Sequence, residues 1–219
     1  MKNHLIYTYS LLMSLLLITG KVNAQEKLQQ VFTDNTYQLT GIAVSARGRM
    51  FINYPLWSAT YKYAVVEVLP NGSVKPYPDE EMNSWKKGED GKNKWVCVQA
   101  VYIDDNDYLY VVDPAAPMLN VVYQNSNKVV KIDLKTNKIV RTYFFTGTTD
   151  NHSYINDIRV DTKKQIAYLT NSGEGGIVIL NLATGKTRQV LQSHKSVLPD
   201  PNFKFIIDGH VLMKQGTAR

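Results

Sequence analysis

The chain has 219 residues, of which 44% are apolar, 20% charged and 11% aromatic, a globular composition that excludes a disordered or collagen-like polymer. A formal charge of +6 and a pI near 9.2 invite a nucleic-acid reading. The lysines and arginines are scattered rather than gathered in a stripe, and the aromatic signature of RNA-recognition modules is absent, so nucleic acid is not an expected partner.

The first 24 residues read as an export signal. Met1-Lys2-Asn3-His4 is a short basic start, residues 11–18 are an apolar core, and Val22-Asn23-Ala24 ends in the small residue that a signal peptidase accepts. Cleavage after Ala24 would leave 195 residues at a net +4, secreted or periplasmic. The apolar run falls short of the roughly 20 residues that span a bilayer, which weighs against the alternative of a retained anchor, and no stable membrane span is expected. No cysteine follows the apolar core to carry a lipid.

Beyond the leader no long stretch has helical periodicity; the apolar runs are short, β-branched and aromatic. Taken in order, they repeat. Thr40-Gly41-Ile42-Ala43-Val44-Ser45 turns at Arg47-Gly48 into Met50-Phe51-Ile52-Asn53. Next comes Cys97, alone in an apolar run from Trp95 to Val101. It has no cysteine to pair with and no basic neighbour to stabilise a thiolate, so a buried core residue is expected rather than a reactive thiol. Gln99-Ala100-Val101-Tyr102-Ile103-Asp104 then turns through Asp105-Asn106-Asp107 into Tyr108-Leu109-Tyr110-Val111-Val112-Asp113. The third copy is Asn156-Asp157-Ile158-Arg159-Val160-Asp161, a turn at residues 162–165, and Ile166-Ala167-Tyr168-Leu169-Thr170-Asn171. Ser45, Asp104 and Asp161 are equivalent and stand 59 and 57 residues apart in turn.

A second hairpin follows each copy, turning at Pro70-Asn71-Gly72, Lys135-Thr136-Asn137 and Ala183-Thr184-Gly185. Two hairpins per period make a four-stranded antiparallel sheet, and such a sheet repeated at fixed period predicts an all-β fold, a β-propeller in preference to a sandwich. The blades are placed near 32–90, 91–150 and 151–200, with a fourth beginning at 201–219. At about 58 residues per blade this is about 3.4 blades, and propellers close with four to eight. The sequence is therefore expected to be part of a longer ring, or to take blades from another chain.

In each antiparallel hairpin the start of the first strand and the end of the second share an edge. That edge carries Thr40 with Asn53, Gln99 with Asp113, and Asn156-Asp157 with Asn171. Around a propeller axis these amides and carboxylates would ring one mouth of a channel, suited to a small polar or cationic ligand or to a hard cation such as calcium. The competing reading is that they cap strand ends and turns. Elsewhere, Asp104-Asp105-Asn106-Asp107 opens like a calcium loop but has Leu109 where such a loop needs glycine, and reads as the hairpin turn. Gly173-Glu174-Gly175-Gly176 reads as a tight loop, His152, His194 and His210 lack metal-ligand spacing, and no nucleophile elbow occurs. Asn71-Gly72-Ser73 and Asn151-His152-Ser153 are glycosylation sequons.

Several stretches resemble the major royal jelly protein/yellow family, and its bacterial members most. They are residues 50–55, 108–113, 167–179 and 193–199 and, above all, Ser153-Tyr154-Ile155-Asn156-Asp157-Ile158-Arg159-Val160-Asp161. The resemblance runs from about Phe32 to the end. It implies a six-bladed propeller, with Asn156, Asp157 and Asn171 as ligand-end residues of the third blade. Some insect relatives are linked to dopachrome conversion, some bind biogenic amines in the central channel and some are nutritive; their paired cysteines have no counterparts here. The leading expectation is an exported propeller that binds an amine- or catechol-like molecule through Thr40, Gln99, Asn156, Asp157 and Asn171, with Asp157 the candidate base for a dopachrome-type isomerisation and no resident cofactor. Two alternatives stand beside it: a gluconolactonase-type hydrolase holding a divalent cation in the channel, for which Asn156 fits and an acidic first-blade ligand is missing at Thr40-Gly41, and an interaction module without chemistry.

Overall fold

Short β-branched runs separated by turn residues form strands and little else. The computed structural model describes residues 28–58, 61–145, 147–200, 202–214 and 217–218. The expected leader at 1–24 lies outside the described residues. The chain divides into two units, 1–33 and 34–219; residues 28–33 of the first form neither helix nor strand.

The second unit holds three four-stranded sheets. Strands β1 (Gly41–Val44), β2 (Met50–Asn53), β3 (Val65–Val68) and β4 (Val74–Pro76) make the first. The second comprises β5 (Ala100–Ile103), β6 (Tyr108–Asp113), β7 (Lys128–Asp133) and β8 (Lys138–Phe144). The third comprises β9 (Ile155–Asp161), β10 (Ile166–Asn171), β11 (Ile177–Asn181) and β12 (Thr187–Val190). Each is an antiparallel meander in chain order, as propeller blades are. Two small hairpins follow, β13 (Ile206–Ile207) with β14 (His210–Val211) and β15 (Met213–Lys214) with β16 (Thr217–Ala218). The turn between the third and fourth strands carries a left-handed residue in every blade: Gly72 (φ 79°), Asn137 (φ 55°) and Gly185 (φ 79°). Asparagine and glycine tolerate that conformation, which is why the sequence signals of these turns repeat.

Side chains in a strand point alternately to its two faces, and β6 shows what this requires of a blade buried on both. Leu109 and Val111 join Phe51, Val65 and Tyr77 of the first blade region in one apolar slab, together with Val130 and Ile132. Tyr110 and Val112, one residue out of phase, join Ile158, Leu169, Val178 and Leu180 in the next. The run from Tyr108 to Val112 is therefore almost continuously apolar, and each fully buried side chain of this kind contributes about 1.5–3 kcal/mol. Cys97 is fully buried, as expected, and burial pushes its thiol up to about 12 from an ordinary 9.0.

A latch repeats between neighbouring blades. Arg49 Nη1 donates to Leu134 O (2.7 Å), while Arg141 Nη1 and the Tyr143 hydroxyl donate to the equivalent carbonyl, Leu182 O (2.9 and 3.0 Å). Nearer the axis the inner strands pack side by side, β1 on β5 and β5 on β9. Gly41 permits the first of these approaches: a Cβ there would collide with Asn53 Oδ1 and stand 3.2 Å from Val101 N. The three strand starts are thereby drawn toward one groove.

Candidate functional site

The register pairs Gly41 with Asn53 and Ala100 with Val112, and Thr40 N and Gln99 N donate to Asn53 O and Val112 O just beyond. The start of each first strand and the end of each second do share an edge. The side chains on that edge nevertheless divide into two sets.

The first-strand set lines one groove of about 520 Å³ along β1, β5 and β9. Thr40, Gln99, Asn156 and Asp157 are all part of its wall, together with Tyr102 and Arg159. Thr40 Oγ1 donates to Gln99 O (2.9 Å) and accepts from Asn53 Nδ2 (2.9 Å), tying the first inner strand to the second. Asn156 Nδ2 donates to Ser172 Oγ (3.3 Å). Asp157 Oδ1 accepts from Ile158 N (2.8 Å) and Arg159 Nη1 (3.0 Å), and the Arg159 guanidinium lies 5.5 Å from the centre of the Tyr102 ring. Asp157 is the one carboxylate among the described residues of the groove wall. An Asp157–Arg159 ion pair with one carboxylate oxygen to spare, two amides, a hydroxyl and an aromatic ring thus line a shared space of small-molecule size.

The second-strand set is buried and, apart from Asn53 Oδ1, which has no partner among the described residues, its polar groups make their hydrogen bonds within the fold. Asn53 Nδ2 also donates to Val98 O (2.9 Å). Asp113 accepts from the backbone N–H groups of Val96, Cys97 and Ala115, and Lys128 Nζ meets its Oδ2 at 2.8 Å with both side chains fully buried. Lys128 spends its remaining donors on Gly91 O and Ser126 O. Asn171, expected at the ligand end, is not part of the groove wall: its Oδ1 accepts from Tyr154 N (3.0 Å), and its Nδ2 donates to Ser153 Oγ, Glu174 Oε2 and Gln189 Oε1. Cys97 N to Asp113 and Tyr154 N to Asn171 are the same bond in successive blades. The register between β9 and β10 shifts at Leu169/Asn171, and the amide there serves the loop that enters its own blade.

Two arrangements carried no signal in the sequence. The Tyr154 hydroxyl donates to Gln99 Oε1 (2.8 Å) and accepts from Trp57 Nε1 (3.0 Å), joining residues 97 positions apart. Burial raises the Tyr154 hydroxyl well above its ordinary range, so it remains a donor at neutral pH. Lys128 hides inside an apolar strand; its place opposite Asp113 emerges only from the register.

The tetrad at residues 104–107 is the β5–β6 turn: Asp104 Oδ1 accepts from Asn106 N and Tyr108 N, and Oδ2 from the Tyr110 hydroxyl. Among the described residues no three His, Cys, Asp or Glu side chains stand close enough to share a metal ion. No described helix is long and apolar enough to cross a membrane.

No curated protein matches the chain. Among solved structures it is similar to a virginiamycin B lyase from Staphylococcus aureus crystallised with quinupristin, at 19% identity over 74% of this chain and 44% of that one, with a TM-score of 0.46. It is also similar to the extracellular domain of a hybrid two-component system from B. thetaiotaomicron, at 13% identity over 78% of this chain and 20% of that one, with a TM-score of 0.49. The chain spans less than half the length of either. A family model described as Major royal jelly protein matches residues 96–216, more than half of the 219. It covers the second and third sheets and the Tyr154–Asp157 stretch that helps to build the groove, and the chain belongs to the major royal jelly protein family.

Proposed function

We propose that this chain is an exported propeller module that binds a small polar molecule, amine- or catechol-like, in the groove along its inner strands. The observation that carries the reading is the convergence of Thr40, Gln99, Asn156 and Asp157, from three successive blades, on one space of about 520 Å³. A ligand ammonium suits the unpaired side of the Asp157 carboxylate, and a flat ring suits the neighbourhood of Tyr102. Isothermal titration of the purified chain with dopamine, serotonin and dopachrome tests it: saturable heat with at least one is expected, and no heat with any of the three defeats it.

A dopachrome-type isomerisation is the catalytic extension of the same site. It is a proton shift: the Asp157 carboxylate takes a proton from a substrate carbon, amide donors hold the carbonyl oxygens, and a substrate oxygen ends up protonated. Asp157 is assigned this role because it is the groove's one carboxylate among the described residues. Asp157→Asn is expected to abolish loss of the dopachrome absorbance above the uncatalysed rate while dopachrome still binds. An unchanged rate removes the extension and leaves the binding reading intact.

A further inference from the structure

Gln99 is one of the groove's two carboxamides, and the structure fixes which end of it a ligand meets. A carboxamide carries an acceptor oxygen and a donor nitrogen that can exchange places by rotation, so its orientation follows from its partners. Its partner here is the Tyr154 hydroxyl, whose own role is set by Trp57. An indole N–H can only donate. At 3.0 Å it occupies an acceptor site on the Tyr154 oxygen and leaves the single hydroxyl proton to be given to Gln99, 2.8 Å away. Were Gln99 reversed, two N–H donors would meet on one phenol oxygen and the hydroxyl proton would lose its acceptor. Gln99 is mostly buried, yet its Nε2 makes no hydrogen bond among the described residues and is not one of their buried unpaired atoms. The amino group is thus the part left to face the groove.

We infer that Trp57 and Tyr154 are positioning residues that make Gln99 a donor, so that this end of the groove selects a ligand bearing an acceptor oxygen: a phenolic hydroxyl, a phenolate or a quinone carbonyl. The inference rests on the proposed channel reading and gives the ligand a direction. Its ring oxygens lie at Gln99, on the second blade, and its cationic group lies at Asp157, on the third. Thr40 supplies no second donor there, because its hydroxyl proton is committed to Gln99 O and its oxygen already accepts from Asn53 Nδ2, so donation at this end falls to Gln99. The relay crosses blades, since Trp57 sits between β2 and β3, Gln99 at the start of β5 and Tyr154 at the start of β9. A change far from the groove in sequence therefore alters what the groove accepts.

The test pairs dopamine with phenethylamine, which has the same ammonium and ring without ring oxygens, and adds a readout that needs no ligand. The wild-type chain is expected to prefer dopamine about tenfold, the worth of one well-placed hydrogen bond. Tyr154→Phe is expected to bring that ratio to within about twofold of unity with phenethylamine affinity unchanged, and Trp57→Phe to lower it part of the way. In [15N]glutamine-labelled protein without ligand, Tyr154→Phe is expected to shift the Gln99 side-chain amide signals and speed their solvent exchange. A ratio and amide signals both unmoved in Tyr154→Phe overturn the inference while the channel reading survives. Failure of the wild type to bind dopamine overturns the inference, and the channel reading falls with it only when serotonin and dopachrome give no heat either.

Discussion

Residues that share one edge of each blade have opposite fates. Asn53, Asp113 and Asn171, at the ends of the second strands, are buried and bonded to the fold, with Asn53 Oδ1 alone among their polar atoms left unpartnered by the described residues; Thr40, Gln99, Asn156 and Asp157, at the starts of the first strands, line the groove. The first group shows what holds an inner strand in place, and the second what is left over for a ligand. The blades also differ within the first group. Where the strand-end residue is the neutral amide Asn53, the residue opposite it is Val65; where it is the carboxylate Asp113, the residue opposite is Lys128. A buried charge is tolerated in the second blade because its counter-charge was placed in register with it.

The largest effect comes from breaking that match. Lys128→Val, which installs the first blade's residue in the second, leaves Asp113 charged, buried and unpaired. We expect it to destabilise the chain by about 3–5 kcal/mol, read as a lower urea midpoint. Asp113→Asn added to Lys128→Val recreates the Asn53–Val65 pair and is expected to restore part of that loss, since it removes the buried charge and an amide Oδ1 can still accept from Cys97 N and Ala115 N, while Val96 N loses its acceptor. A double variant no more stable than Lys128→Val would show that the blades are not interchangeable at this position.

Next in size is the third blade. Asn171→Ala removes three side-chain donor contacts and the acceptor for Tyr154 N, in a site with almost no exposure. A loss of about 1–3 kcal/mol in urea unfolding is expected, the cost of leaving buried polar groups unpaired. Dopamine affinity per folded molecule is expected to stay the same. Altered affinity with unaltered stability would return Asn171 to the ligand end, where the sequence placed it. That placement shows how far the sequence could be read. The blades were legible because two local signals, alternating apolar residues and left-handed turn residues, recur at fixed spacing. The groove was half legible, because strand-start residues follow from the same count. The direction of a strand-end side chain was not, since it depends on the irregularity at Leu169/Asn171 and on which loop N–H groups need an acceptor. The relay of Trp57, Tyr154 and Gln99 spans 97 residues with no periodic relation, and only packing brings it together.

The groove side should behave in the converse way. Asn156 makes one long hydrogen bond to Ser172 and is only half-buried. Asn156→Ala is expected to change stability by no more than about 0.5 kcal/mol, as surface substitutions usually do, and to weaken dopamine binding several-fold by calorimetry. A large loss of stability with intact binding would place Asn156 with the scaffold residues and narrow the site to the other strand starts.

The last prediction separates the two sides by pH and has no effect near neutrality. Cys97 lies on the scaffold side, its N–H donating to Asp113 and its thiol buried. Burial is the main cause that pushes the thiol up to about 12 from 9.0, with the Asp113 carboxylate adding to it. In the folded chain the thiol therefore keeps its proton through pH 9–11, where the unfolded chain loses it. Proton release then favours the unfolded state, so the stability this group contributes is complete below pH 9 and drains away as pH rises toward 12. Cys97→Ala leaves a small gap at all pH values but lacks this titration, so its stability relative to wild type should improve steadily above pH 9. Thiol labelling at pH 8 gives a second check: the folded chain should react at its unfolding rate and the urea-unfolded chain at once. Immediate labelling of the folded chain would mean that the loop entering β5 opens independently of the blades, which the hydrogen bonds from Val96 N and Cys97 N to Asp113 are placed to prevent.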